Sequence, residues 1–183
     1  LVIGKVAAKL GIKLLYAVEI QTKEEVHILA YFKELADCLA FGRIIEDLRM
    51  KIKNDPRYFG EQLVLDTNDE VIDREEWLLL TSIELDLERL SDMIHKCHGA
   101  VVLAHALDRA NGIITQLGFI PRTLAFDGVE IKSEQQRVTL QKEFPWLTDT
   151  VWLINSDAHA LSQINEAKNE MTEQQLMRLW RQN

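Results

Sequence analysis

The sequence predicts an α/β domain built on a parallel sheet, either open and doubly wound or closed into a barrel. Apolar runs of strand length alternate with segments of helical periodicity along most of the chain, the pattern that right-handed crossovers between parallel strands produce. The chain has 183 residues, 47% of them hydrophobic, so one core forms without a disulfide or a metal to hold it. Neither a repeat nor a Pro-rich linker nor a low-complexity tract divides it, and residues 1–183 therefore read as one domain.

Val2 to Leu10 has the spacing of an amphipathic helix, stopped by Gly11 where a left-handed cap belongs. Ile12 to Ile20 is an apolar, strand-forming run closed by Glu19, and Val26 to Phe32 is a second such run with His27 as its polar intruder. From about Ala36 to Asn54 the apolar residues recur at helical spacing until Asn54-Asp55-Pro56 breaks the pattern, which predicts the longest helix. The turn chemistry of Asp66-Thr67-Asn68-Asp69 between two short apolar runs predicts a small hairpin or a strand-turn-helix excursion. Asp86 is a cap for a helix to about His98, ended by Gly99. Regular alternation follows: a strand at 100–105, a short helix from about Asn111 to Leu117, and a strand at 126–131. A helix at 134–144, halted by Pro145, leads to a last strand at 151–155. Thr172 with Gln175 forms a capping-box pair opening a terminal helix, Glu173 to Arg181.

Composition excludes several function classes. The longest apolar runs fall far short of the roughly 20 residues that a bilayer span requires. With 21 Lys+Arg against 29 Asp+Glu the net charge is −8, which disfavours the phosphate-neutralising surface of a non-specific nucleic-acid binder. Nucleic acid stays possible through a local basic patch, and a small phosphorylated substrate is the expected partner. Two cysteines make no disulfide framework, and a reducing cytoplasm fits them. Neither standard glycine-rich phosphate loop occurs.

The chemistry lies in residue positions. Glu19, His105 and Asp157, with His159 nearby, fall where apolar strands end, and the C-terminal edges of parallel strands are where α/β sites are built. His27, inside its own apolar run, is placed to join them. Singly, each has a bland reading: a histidine in a strand is often a satisfied core residue, and Ser156-Asp157 reads equally as a helix start. Jointly they gain weight, because acids and imidazoles at such places otherwise need partners. Carboxylates with imidazoles suit Zn, Mn or Fe, and such sites polarise a phosphoryl oxygen and lower the pKa of bound water towards ~7. His95, Cys97 and His98 are a decoy, since three ligands in four residues at one helix end face different directions.

Tyr16 to Ile20, Val26 to Phe32, Leu103-Ala104-His105 and Asn155 to His159 resemble, in order, the later motifs of the PHP (polymerase and histidinol phosphatase) superfamily. The segment from Ala104 to Arg109 and on to Leu117-Gly118-Phe119-Ile120-Pro121 is similar to a bacterial stand-alone branch of metal-dependent phosphoesterases. The resemblance implies an irregular barrel of seven strands and helices with up to three metal ions. It implies Glu19 as a bridging carboxylate, His27 and His105 as metal ligands, and Asp157 with His159 as the last, catalytic pair. Arg109 and Lys132 are the candidates to hold substrate phosphate. The family's opening His-x-His and Asp-His motifs have no counterpart here, so the resemblance implies a barrel lacking its N-terminal strands. Where the family usually has proline after the strand histidine, this chain has Ala106.

The expected activity is hydrolysis of a phosphate ester by a metal-activated water. Two other classes stand beside it: a non-catalytic remnant or regulatory module of the same fold, and an open-sheet binding protein whose strand-edge polar residues are structural. Replacing Glu19 or Asp157 by Ala separates them, with a large loss of metal in the first case and little effect in the last.

Overall fold

The structure is a computed structural model that describes residues 2–108, 110–164 and 170–180. The chain opens with α1 (Val2–Lys9), which Gly11 closes at φ +68°. Two strands follow, β1 (Tyr16–Gln21) and β2 (His27–Phe32), paired antiparallel from Tyr16 opposite Phe32 to Gln21 opposite His27. Then come α2 (Leu35–Leu48), the single turn α3 (Pro56–Phe59), and a separate hairpin of β3 (Leu63–Leu65) and β4 (Val71–Arg74). In the turn of that hairpin the Asp66 carboxylate accepts the backbone N–H groups of Asn68 and Glu70.

The rest alternates as the periodicity predicts: α4 (Leu87–Lys96), β5 (Ala100–Leu103), α5 (Ile113–Leu117), β6 (Gly128–Ile131), α6 (Glu134–Glu143) and β7 (Val151–Ile154). Asp86 caps α4 by accepting from the Arg89 N–H, and Ser133 caps α6. Thr172 and Gln175 form the predicted capping box, but α7 (Glu173–Leu176) is one turn that tightens into a 3-10 turn at Met177–Trp180.

The main sheet has five strands in the order β1-β2-β5-β6-β7, and among the described residues it does not close into a barrel. Two expectations are corrected: the sheet is mixed rather than parallel, and among the described residues it is open where the resemblance implies a barrel. β5, β6 and β7 are parallel, whereas β2 runs against both β1 and β5. The connection explains this. Residues 22–26 alone separate β1 from β2, and a parallel crossover needs a dozen or more. The long helix also ends earlier than predicted, at Leu48. Beyond it the chain is extended, with Arg49 bridged to Ile83 and Lys53 to Trp77.

Helices cover one face of the sheet. Ile28, Ala30, Phe32, Val101, Leu103, Val129 and Ile131 face a core completed by Phe41, Leu90, Ile94, Ile113 and Leu140. The opposite face carries Ala100, Val102, Val151 and Leu153 under Leu179 and Trp180. Three glycines are sterically required, among them Gly112, where a Cβ would lie 2.8 Å from the Asp108 carbonyl oxygen and 2.9 Å from that of His105. A Cβ on Gly128 would lie 2.9 Å from Leu179 Cδ2, so its absence lets the C-terminal segment approach the sheet. A Cβ on Gly99 would lie 2.7 Å from Ile94 Cγ2 and 2.8 Å from Phe32 Cε1. The left-handed residue ending α4 is therefore not Gly99 but His98, at φ +61°. No described helix is long and apolar enough to cross a membrane.

Candidate metal centre at the sheet edge

The antiparallel hairpin assembles the site. Because β2 enters where β1 leaves, its first residue, His27, lies opposite Gln21 at the sheet edge where β5, β6 and β7 end. Pairing Gln21 with His27 and Glu19 with Leu29 puts Glu19 and His27 on one face, opposite the face that carries Ile28 and Ala30. His105 follows β5, Lys132 follows β6, and Asn155 to His159 follow β7.

Glu19, His27 and His105 converge on one point. His27 Nδ1 is 2.9 Å from Glu19 Oε1, His105 Nε2 is 3.3 Å from the same oxygen, and the two ring nitrogens are 3.2 Å apart. Donor atoms placed 2.0–2.1 Å from a tetrahedral ion lie roughly 3.4 Å from one another, so this triangle has the dimensions of three ligands sharing a cation. The donor set of one carboxylate and two imidazoles suits Zn, Mn or Fe, and three protein ligands leave positions for water or substrate.

Outer contacts hold the ligands. Asn111 Nδ2 lies 2.6 Å from His27 Nε2, and Gln21 Oε1 lies 3.4 Å from the same nitrogen. The Asn111 amide donates to Nε2, which leaves the proton on Nδ1 for Glu19. With a cation at Nδ1, the Nε2 proton instead has the Gln21 carbonyl as acceptor, the second contact that metal-bound histidines use to fix their ring. Glu130, 6% exposed, ties three strands together. Its Oε2 accepts the His105 backbone N–H at 3.0 Å and its Oε1 accepts Asn155 Nδ2 at 2.6 Å. Left-handed backbone accumulates here, at His105 (φ +29°), Asn111 (φ +55°) and Asp157 (φ +47°), a conformation costly for residues with a Cβ and typical of sites that their surroundings hold in place.

The charges are coupled. Hydrogen bonds from His105 and then His27 hold the Glu19 carboxyl down at about 2, against the opposing effect of burial. For His105, burial alone would favour the neutral ring, but the hydrogen bond and charge of Glu19, with Asp157 and Asp108, outweigh it and raise the pKa. His105 Nδ1 is buried with no partner among the described residues. The Lys132 ammonium bonds the Asp108 carboxylate and lies 3.7 Å from Asp157 Oδ2, and its pKa is raised chiefly by Asp108.

Of the residues singled out from sequence, Glu19, His27 and His105 meet atom to atom. Asp157 and His159 line the same cavity of about 330 Å³ but stand outside the triangle. The His159 ring is exposed and bonds the Asp157 carbonyl oxygen through Nδ1 at 2.9 Å. Lys132 reaches the cavity's acids, and Arg109 lies outside the described residues. Sequence reasoning missed Glu130, Asp108 and Asn111. The first carries a usable signal, an acid between Val129 and Ile131 in an apolar strand; Asn111, read as a helix start, precedes α5 in a left-handed turn. The decoy dissolves: His95 Nε2 pairs with buried Asp127 at 2.8 Å, Cys97 caps α4, and His98 Nδ1 faces Asp37 at 3.9 Å.

No family model matches the sequence, and sequence comparison finds no curated relative. Solved structures do resemble the chain. One is the lesion-specific endonuclease PfuEndoQ from Pyrococcus furiosus, with a TM-score of 0.57 at 17% identity. The fold is similar to part of an endonuclease. The likeness covers 81% of this chain but 32% of PfuEndoQ, so the chain spans about a third of that protein's length. Endonuclease Q bound to a 27-mer duplex substrate, with an abasic lesion at the active site, matches equally, again with a TM-score of 0.57 and 17% identity.

The expectation of a small phosphorylated substrate is overturned by this comparison, since the similar structures are DNA endonucleases and one holds duplex DNA. The charge argument behind it does not reach the site. A net charge of −8 describes the whole surface, whereas the acids of a site that holds cations do not meet phosphate bare.

Proposed function

We propose that this chain is the metal-binding hydrolytic unit of a nuclease, a PHP-type domain over residues 1–183 that cleaves a phosphodiester bond in nucleic acid. The observation that carries the reading is the convergence of Glu19 Oε1, His27 Nδ1 and His105 Nε2 within 3.3 Å of one another at the edge where a parallel sheet builds its sites. The fold likeness to Endonuclease Q supports nucleic acid as the substrate.

In this reading Glu19, His27 and His105 hold a divalent cation, Zn, Mn or Fe, and Asp157 with His159 hold a further one or take up protons beside it. A divalent ion there supplies polarisation of the phosphoryl oxygen and acidification of water. The protein's own groups do the rest. Glu130 fixes the His105 backbone, the Gln21 side-chain carbonyl accepts from the His27 ring, and the Lys132 ammonium, with Arg109 as a second candidate, offers charge to a non-bridging phosphate oxygen. Free Cys38 and Cys97 suit action in a reducing cytoplasm.

The test is elemental analysis of the purified protein together with cleavage of duplex DNA carrying one abasic site, in Mn²⁺, Zn²⁺ or chelator. Bound metal and metal-dependent nicking, both lost in Glu19→Gln, support the reading. A protein that binds no divalent ion at pH 7.5, or whose metal content Glu19→Gln leaves unchanged, overturns it.

A further inference from the structure

A second cavity, of about 300 Å³, also borders Glu19 and His27. Gly42 and Ile45 of α2 form one wall with Arg49, and Leu79, Leu80 and Thr81 form another. Three features mark it as a place where something binds. Leu79 and Leu80 are 57% and 72% exposed, large apolar side chains kept in water at the mouth of a polar site. Arg49 is buried, and although its terminal nitrogens reach Glu46, Glu75 and the Trp77 carbonyl, its Nε has no acceptor among the described residues. Gly42 sits inside a 14-residue helix, where glycine weakens the helix relative to alanine, yet a Cβ there would meet no atom within 4 Å. The α2 wall of the cavity thus carries no side chain at this position.

We propose that this cavity seats the nucleobase adjoining the phosphodiester bond cleaved at the metal centre. The proposal rests on the nuclease reading and names the part of the substrate that the site recognises. A base is planar and apolar on its faces and carries acceptors on its edge, which matches leucine walls beside the Arg49 guanidinium and the Thr81 hydroxyl. Phosphate presents no apolar face to Leu79 and Leu80.

Gly42→Leu narrows the cavity from its α2 wall, and Gly42→Ala is its small control. Two measurements are made on each: cleavage of oligonucleotides with either a normal or an abasic residue at the scissile position, and calorimetric binding of a nucleoside 5′-monophosphate against inorganic phosphate in Mn²⁺. Wild type and Gly42→Ala are expected to favour the base-bearing partner by at least about tenfold, the scale on which a pocket rejects a group it was not built to seat. In Gly42→Leu that preference disappears, while the abasic and phosphate values stay put and the melting temperature does not fall. Equal losses for both partners, or an undiminished preference, overturn the proposal. Should Gly42→Leu misfold, Leu80→Ser at an exposed position takes its place with the same two outcomes. If no variant cleaves anything, the nuclease reading has failed, and the binding arm alone still decides for or against the base.

Discussion

Glu19 Oε1 lies 3.3 Å from His105 Nε2, although 86 residues separate them. An acid on β1 and an imidazole beyond β5 are brought together only because β2 lies between these strands and reverses direction. Without a cation each is the other's main compensation; with one, both turn to it. Glu19→Gln keeps the shape and removes the charge, so affinity for Zn²⁺ or Mn²⁺ is expected to fall by about 100-fold or more, beyond the range seen for outer contacts. Competition calorimetry at pH 7.5 checks it, and an unchanged affinity removes Glu19 from the site.

The same pair sets a pH dependence in the metal-free protein. The Glu19 carboxyl, held at about 2, is depressed relative to the ~4.3 of an unfolded glutamate, so its contribution is present above ~4.3 and lost as pH falls towards about 2. The His105 pKa is raised, so its contribution is fully present below ~6.5 and lost as pH rises through the folded value. In chelator, the difference in melting temperature between wild type and Glu19→Gln should therefore peak between about pH 4.5 and 6.5 and shrink on both sides. A difference that is flat from pH 3 to 9 counts against the ion pair.

Glu130 acts through His105 rather than on substrate. Glu130→Ala leaves a buried backbone N–H and the Asn155 amide without their acceptor, at a cost of about 3 kcal/mol. The loss should already appear in full in chelator, unlike that of Glu19→Gln, whose larger effect is on the metal-bound form. Urea titrations under both conditions separate the two variants.

Gly99→Ala tests the fold without touching the site. The added Cβ would press on Ile94 Cγ2 and Phe32 Cε1, both in the packed core, which costs about 1–3 kcal/mol. Metal affinity should stay at the wild-type value. If the variant is as stable as wild type, α4 and β2 are not packed as closely as described.

Much of this was legible in the residues. Apolar periodicity located the strands and most helices because each buries one face, and Asp86 and Thr172 marked helix starts by chemistry that needs no tertiary partner. His27 was legible as an intruder, an imidazole opening the apolar run Ile28 to Phe32, and gained weight only jointly with Glu19 and His105. Strand direction was not read from periodicity, which is the same for parallel and antiparallel strands; the brevity of residues 22–26 held that information. Nor did local pattern show Glu130 or Asn111 as supports, because their partners, His105 and His27, are distant in sequence.

On the nuclease reading proposed above, Lys132 connects the site to its substrate. An ammonium has three protons to donate, and the acids facing it are Asp108 and Asp157, which leaves one for a phosphate oxygen. Lys132→Met removes the charge while keeping the length, so two effects of opposite sign are expected. The KM for an oligonucleotide should rise by about 5–10-fold at low salt, the scale of a partly exposed ion pair, and the rise should shrink as salt screens it. Cation affinity should hold or increase, since Asp108 and Asp157 lose a competing positive charge. A lysine that only braces the loop predicts otherwise: a lower melting temperature, with no salt-dependent change in KM and no gain in metal.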